Sequence, residues 1–199
     1  MADLAPSRSV ILELREERRT MAEGHAFLDE KCLLLAGEIV RELQRYAAER
    51  ARADVLAAQA AAALQAALAR HGLEELSVHP APDLATASVT REWHSVMGVK
   101  LAHATLSLPG VALPRPPWSS PEAAACGEAF TALMQAATVL GAIAGNLERL
   151  SEEYRRSIRR ARALNEVLMP ELDRTVGELE TQLEDLERED AISMRRGAS

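Results

Sequence analysis

The sequence predicts an all-α fold: a long antiparallel two-helix coiled coil with a small head containing a short β-hairpin. Ile11 to Arg70 and Pro121 to Asp190 read as uninterrupted heptad-like helix, and nearly every proline and turn signal of the 199-residue chain falls between them. The expected division is an N-terminal coiled-coil arm over 1–70, a head over 71–120 and a C-terminal arm with a tail over 121–199. A two-helix hairpin has almost nowhere to enclose a catalytic pocket, so mechanical or scaffolding work is expected and an enzyme is not.

In the first arm Ile11, Leu14, Arg18, Met21, His25, Leu28, Cys32, Leu35 and Ile39 alternate steps of three and four. After a stutter the series continues through Leu43, Tyr46, Arg50, Ala53, Ala57, Ala60 and Leu64. The second arm offers Phe130, Leu133, Ala137, Leu140, Ala144, Leu147, Leu150, Tyr154, Ile158 and Ala161, then Leu164, Leu168, Leu172, Val176, Leu179, Leu183 and Leu186. At about 1.5 Å rise per residue each arm would span about 90 to 105 Å. Gly72 suits a residue that closes a helix, and Ser120-Pro121-Glu122 offers a capping hydroxyl, a proline at the first helical position and an early carboxylate. If the arms fold back from these two points, partners have numbers summing to roughly 190. Ala57 to Ala69 would then lie against Ala123 to Ala137, Gly141 and Gly145 would face the region of Tyr46, and Pro170 would bend the second arm.

The head excludes long helix through Pro80, Pro82, Pro109, Pro114, Pro116 and Pro117, while Leu84 to Val89, Val96 to Leu101 and Thr105 to Leu108 carry β-branched residues at partial alternation. Pro109-Gly110 suits a type II turn and places a short hairpin there. Met97, Gly98 and Val99, with Trp93 and Trp118 nearby, form a candidate docking surface; the competing reading makes the tryptophans the head's own small core.

Composition narrows the function classes. A formal charge of −7 disfavours nucleic-acid backbones as partners, and the interspersed charges suit solvated coiled-coil flanks. The amino terminus has no charged-then-apolar leader, and the Ala57 region, broken by Gln59 and Gln65, is too weakly apolar to span a bilayer. A cytoplasmic chain with no direct membrane span is expected. Cys32 and Cys126 fall too far apart to pair, and Cys32 reads as a small seam residue. His25, His71, His79, His94 and His103 have no helical partner histidine and no carboxylate in a ligand-like arrangement, so no metal is expected. No phosphate loop and no Gly-x-Ser-x-Gly elbow occur, and no cofactor is expected.

The run from Tyr154 through Arg159-Arg160-Ala161-Arg162-Ala163-Leu164-Asn165-Glu166-Val167-Leu168-Met169-Pro170-Glu171-Leu172, followed by Thr175-Val176 and Leu186 to Asp190, resembles the carboxy-terminal helix of the D subunits of V/A-type rotary ATPases. Gly24-His25-Ala26-Phe27-Leu28 with Lys31 is similar to that family's Gly-His element, and Val96-Met97-Gly98-Val99-Lys100 resembles its Met-Gly-Val head element. Two departures stand out. Asp29-Glu30-Lys31-Cys32-Leu33 replaces a basic tract and keeps only Lys31, and Ala102 stands where many relatives have proline.

The resemblance implies a non-catalytic rotor shaft in an ATP-driven, ion-translocating complex, peripheral to the membrane. The implied partners are the catalytic and non-catalytic nucleotide-binding subunits, the small F subunit of the stalk and a funnel-like subunit linking to the membrane ring. Arg155, Arg159 and Arg162, on one helix face, are the first candidates for ring contacts, against a reading as a solvated stripe balancing Glu152, Glu153 and Glu166. Arg195 and Arg196 in the tail are further candidates. The alternatives are the coiled-coil stalk of a flagellar or type III export ATPase, or a free-standing helical chaperone or scaffold.

Overall fold

Heptad periodicity in both arms and β-branched runs between them dictate a helix, a strand pair and a return helix, and that order is found. The structure, a computed structural model, describes residues 6–77, 87–108 and 120–197. Helix α1 runs Arg8–Ser77, strands β1 and β2 cover Ser88–Val96 and Val99–Ser107, helix α2 covers Pro121–Ala163, a π-helical turn covers Leu164–Leu168, and helix α3 covers Met169–Gly197. The chain divides into two compact units, one made of the residues up to Leu34 with those from Tyr154 onward, the other of Leu35–Glu153.

In the first unit the start of α1 packs on α3. Ile11, Val176 and Leu179 are buried together, with Val10, Leu14 and Leu183 against them. Each fully buried aliphatic side chain contributes about 1.5–3 kcal/mol, so this apolar layer, and not the charges around it, holds the pair. Arg8 donates to Glu187, Arg15 to Glu180 and Arg18 to Asp173 across the same pair of helices. All six groups are largely exposed, where such pairs set orientation more than stability. These partners, and the approach of Leu164 Cδ1 to within 3.9 Å of a Cβ built on Gly24, have numbers summing to roughly 190, as the hairpin reading requires.

The second unit repeats that sum where His71 meets Ser120 and Glu42 meets Asn146. Its helical seam is thin, made largely of Ala53, Ala60, Ala67 and Ala136 with Leu35, Ile143 and Leu150. Gly72 takes φ 69 and ψ 173, a conformation that only glycine adopts readily. Gly72 thus closes the long helix in the left-handed half of the backbone map, as its sequence suggests, and a short helical piece follows across a kink as far as Ser77. Ser120 caps α2 as its sequence suggests: the Ala123 N–H donates to Ser120 Oγ at 3.1 Å.

The seam departs from the expected positions in both arms. The first arm has no stutter: Leu35, Ile39, Glu42, Tyr46, Glu49, Ala53, Leu56, Ala60, Ala63 and Ala67 keep unbroken steps of four and three, all buried or half-buried. Leu43 is 50% exposed, and Arg50 and Ala57 are exposed. In the second arm the buried set is Ile143, Asn146 and Ser157 where the sequence reading has Ala144, Leu147 and Ile158.

The hairpin of the described residues has its own two-residue turn. Val96 pairs with Val99 across Met97 and Gly98, whose φ values of 49 and 84 are the positive pair required by a type I′ turn. The Pro109-Gly110 turn lies outside the described residues.

At Pro170 the backbone does something a simple bend would not. Met169 N–H bonds to Leu164 O, five residues back, in the turn just before a proline that has no N–H to donate. That turn carries one extra residue. Seam burial therefore steps from Leu164 to Met169 while Leu168 stays 40% exposed, contrary to its assigned seam position. From Met169 the spacing of three and four resumes through Leu172, Val176, Leu179 and Leu183.

Because the π turn absorbs its extra residue, deleting exposed Val167 together with Pro170→Ala should convert it to regular α-helix without rotating the seam. Thermal denaturation followed by circular dichroism should show an unchanged or raised midpoint. Deleting exposed Arg174 instead should turn Val176, Leu179 and Leu183 away from Ile11 and cost about 3–5 kcal/mol. Equal loss in both variants would refute this account of the turn.

Candidate functional site

The hairpin is carried by β2. Val99, Leu101, Ala102 and Ala104 are buried, whereas β1 is exposed over all but its last residue. In an antiparallel pair alternate residues turn both main-chain groups outward, and Ala102, opposite Trp93, is one of these. Its N–H donates to Asn146 Oδ1 at 2.7 Å and its C=O accepts from Asn146 Nδ2 at 3.0 Å. The carboxamide thus takes the place of a neighbouring strand on this edge.

Arg149, one helical turn later, donates through Nε to Lys100 O at 2.9 Å and through a terminal nitrogen to Asn146 Oδ1 at 2.7 Å. Its guanidinium lies 5.5 Å from the centroid of the Trp93 ring, within cation–π range.

Behind the carboxamide sits a charge. Glu42, 2% exposed, accepts from Asn146 Nδ2 at 3.1 Å and from Arg45, while Asn146 itself is 1% exposed. All four hydrogen-bonding positions of the Asn146 side chain are thereby used. An isolated buried carboxylate is costly, so these bonds are what allow Glu42 to occupy the seam. Sequence reasoning missed both residues by following apolar side chains. The unbroken heptad spacing from Leu35 and the sum near 190 both point to them.

A Cβ built on Gly141 would meet nothing within 4 Å and one on Gly145 only Arg149, so the Tyr46 ring does not fill the room these glycines leave. They line an open groove of about 380 Å³ between the hairpin and α2, with Trp93, Ala102, Ala104 and Arg149 among its walls. An open groove of this kind encloses no substrate.

The remaining candidates are scattered. Met97 and Gly98 form the turn, Met97 half-buried and Gly98 exposed, and Val99 is buried, so its side chain packs inward instead of facing a partner. Trp118 lies outside the described residues. Arg155, Arg159 and Arg162 are exposed on α2, and among the described residues no carboxylate pairs with any of the three. Arg195 and Arg196 are exposed near the end of α3. Nothing brings these groups into one constellation.

The histidine reading needs amendment. His25 Nδ1 lies 3.3 Å from Asp29 Oδ2 and His71 Nδ1 lies 3.7 Å from Glu75 Oε2, both at i, i+4. Among the described residues no group of three His, Cys, Asp or Glu is placed to hold a metal ion. One helical stretch, Pro121–Arg196, contains an 18-residue window long and apolar enough to cross a membrane by composition, with mean hydropathy 1.4 and 17% of it buried. It is in the second arm and not the Ala57 region, and Phe130 and Met134 contribute apolar surface exposed along α2.

Both cysteines are free. Burial, followed by the negative charge of Asp29, raises the Cys32 thiol pKa and holds the group protonated. Alkylation of Cys32 in a Cys126→Ser chain should run slower at pH 7.5 than that of an unperturbed thiol and keep accelerating above pH 9. A rate that levels off below the ordinary thiol pKa would contradict this.

The family model for the ATP synthase D subunit matches residues 10–197. Among similar proteins, a V-type ATP synthase D subunit of Anaeromyxobacter dehalogenans (strain 2CP-C) is 27% identical, with 98% of this chain and 96% of that protein aligned. A protein of the same name in Anaeromyxobacter sp. (strain Fw109-5) is 31% identical over 96% of this chain and 90% of its own length. An A-type ATP synthase D subunit of Thermococcus sibiricus is 24% identical over 96% and 91%.

Proposed function

This chain belongs to the family of ATP synthase D subunits, and from that membership we propose that it is the central-stalk rotor shaft of a V/A-type ATPase or ATP synthase. It carries rotation between a ring of nucleotide-binding subunits and a membrane ring that moves ions. The carrying observation is the family match across residues 10–197, which leaves the export-ATPase stalk and the free-standing scaffold without comparable support.

The physical requirements of such a part fit the residues. Torque needs paired helices that do not slip, and the apolar layer of Ile11, Val176 and Leu179 resists sliding by interdigitation. The Glu42–Asn146 pair adds a directional constraint in the second unit. The sequence carries no Gly-x-x-x-x-Gly-Lys-Ser/Thr phosphate loop, which suits a part that passes on rotation while nucleotide is cleaved elsewhere in the complex. Its place is peripheral to the membrane, as part of the complex.

The finer assignment concerns partners. Arg155, Arg159 and Arg162 lie at i, i+4 and i+7 with no carboxylate partner among the described residues, which suits contact with acidic groups of the nucleotide-binding subunits. The solvated-stripe reading fits less well, because Glu152 and Glu166 do not pair with them. The Met97–Gly98 turn faces the small stalk subunit and the funnel-like subunit in this reading, and Arg195 and Arg196 extend toward the ring.

Affinity purification of the full chain from its source should recover two large ATPase subunits and one small subunit. Recovery as a partner-free oligomer would overturn the assignment. Replacing Arg155, Arg159 and Arg162 by alanine should change the stability of the isolated chain by less than about 0.5 kcal/mol. In the assembled particle it should lower ion transport per ATP roughly threefold or more, since three such contacts are worth about 0.2–1 kcal/mol each. Unchanged transport in a fully assembled particle would remove the stripe from the interface.

A further inference from the structure

A sliding problem exists where the hairpin meets α2. The surfaces brought together around the groove are small, Ala102 and Ala104 on β2 and Ala142 and Gly145 on α2. On this face of β2 no large side chain fixes register by shape, Val99 and Leu101 being buried on the strand's other face, and apolar attraction has no direction along the helix. Hydrogen bonds do have direction, and two successive outward-facing positions of β2 are held by two residues one helical turn apart. Asn146 takes the N–H and C=O of Ala102, and Arg149 takes the C=O of Lys100. A one-residue shift of β2 would present Leu101 or His103, whose main-chain groups turn toward β1.

The carboxamide can face β2 in two ways, oxygen and nitrogen exchanged, and only one leaves Oδ1 beside the Ala102 N–H and the Arg149 guanidinium. Glu42 decides between them. A carboxylate only accepts, so the amide nitrogen must turn toward Glu42 Oε2, which leaves the oxygen for the donors on the other side. We propose that Asn146 is the positioning residue of the hairpin. Oriented by Glu42, its carboxamide selects the one height on α2 at which β2 docks and so fixes where the Met97–Gly98 turn is presented.

An apolar pair at these two positions supplies the decisive comparison. Replacing a buried polar pair by well-packed aliphatic residues commonly leaves a helix pair as stable or more so. In the full chain, Glu42→Leu/Asn146→Leu should therefore keep its helical content and melt no earlier than the native protein. The amides of Leu101 to Ala104, read by hydrogen exchange, should nevertheless exchange about tenfold faster or more. Glu42→Gln, which retains an acceptor for the amide nitrogen, should keep hairpin protection within about twofold.

Asn146→Ser provides a second route, since its hydroxyl is too short to bridge Ala102 and Glu42 together; it should also release β2. Unchanged exchange at Leu101 to Ala104 in both Asn146 variants would overturn the proposal, because packing alone would then hold the hairpin. Equal loss of protection in hairpin and helices, with an earlier melt, would overturn it as well by revealing a general stabilising role. Exchange in the isolated chain involves no other component of the complex, so this outcome is separable from the fate of the rotor assignment.

Discussion

A single carboxamide carries the strongest constraint in the protein. Asn146 is almost fully removed from water and would be costly to bury with any of its polar positions unmet. One arrangement meets all of them: Glu42 on α1, the main chain of Ala102 on β2 and Arg149 on α2. Helix, strand and helix are thus tied at one point by bonds that lose their geometry when any partner shifts. The surrounding seam of alanines, which buries little area per residue, would not impose that discipline by itself.

The two units solve the same problem of helix pairing with different chemistry. Where α1 meets α3, large aliphatic side chains fill a dry layer and exposed arginine–carboxylate pairs flank it. In the unit of Leu35–Glu153 alanines alternate with Leu35, Ile143 and Leu150 along the seam, and a buried polar contact between Glu42 and Asn146 is added to it. The open side of α2 receives a β-hairpin that turns Ala102 and Ala104 toward it. Both solutions suit an element that must turn without slipping.

Local irregularities mark where periodicity alone would fail. The π turn before Pro170 inserts one residue and hands the seam from Leu164 to Met169, so a proline that interrupts backbone hydrogen bonding does not interrupt burial. Gly72, with a positive φ, turns the end of α1 sharply, and His71 beside it reaches Ser120 at the start of α2. Met97 accepts a positive φ that a non-glycine residue seldom adopts, which lets the strands join through two residues.

The sequence by itself determined the helical arms, the capping serine, the antiparallel pairing with numbers summing near 190, and the resemblance that carried the function. All of these follow from local preferences or from a period that repeats over many turns, and they survive small errors at any one position. What only the tertiary structure decided were the exceptions to apolar burial. Glu42, Asn146 and Ser157 enter the seam and Leu43 leaves it because the heptad phase is a property of the whole helix, and Glu42 and Asn146 found partners on other elements. The hairpin's turn at Met97–Gly98 was hidden for a related reason. Its backbone is imposed by the pairing of two long strands, and nothing in a methionine announces that it will tolerate the conformation such pairing demands.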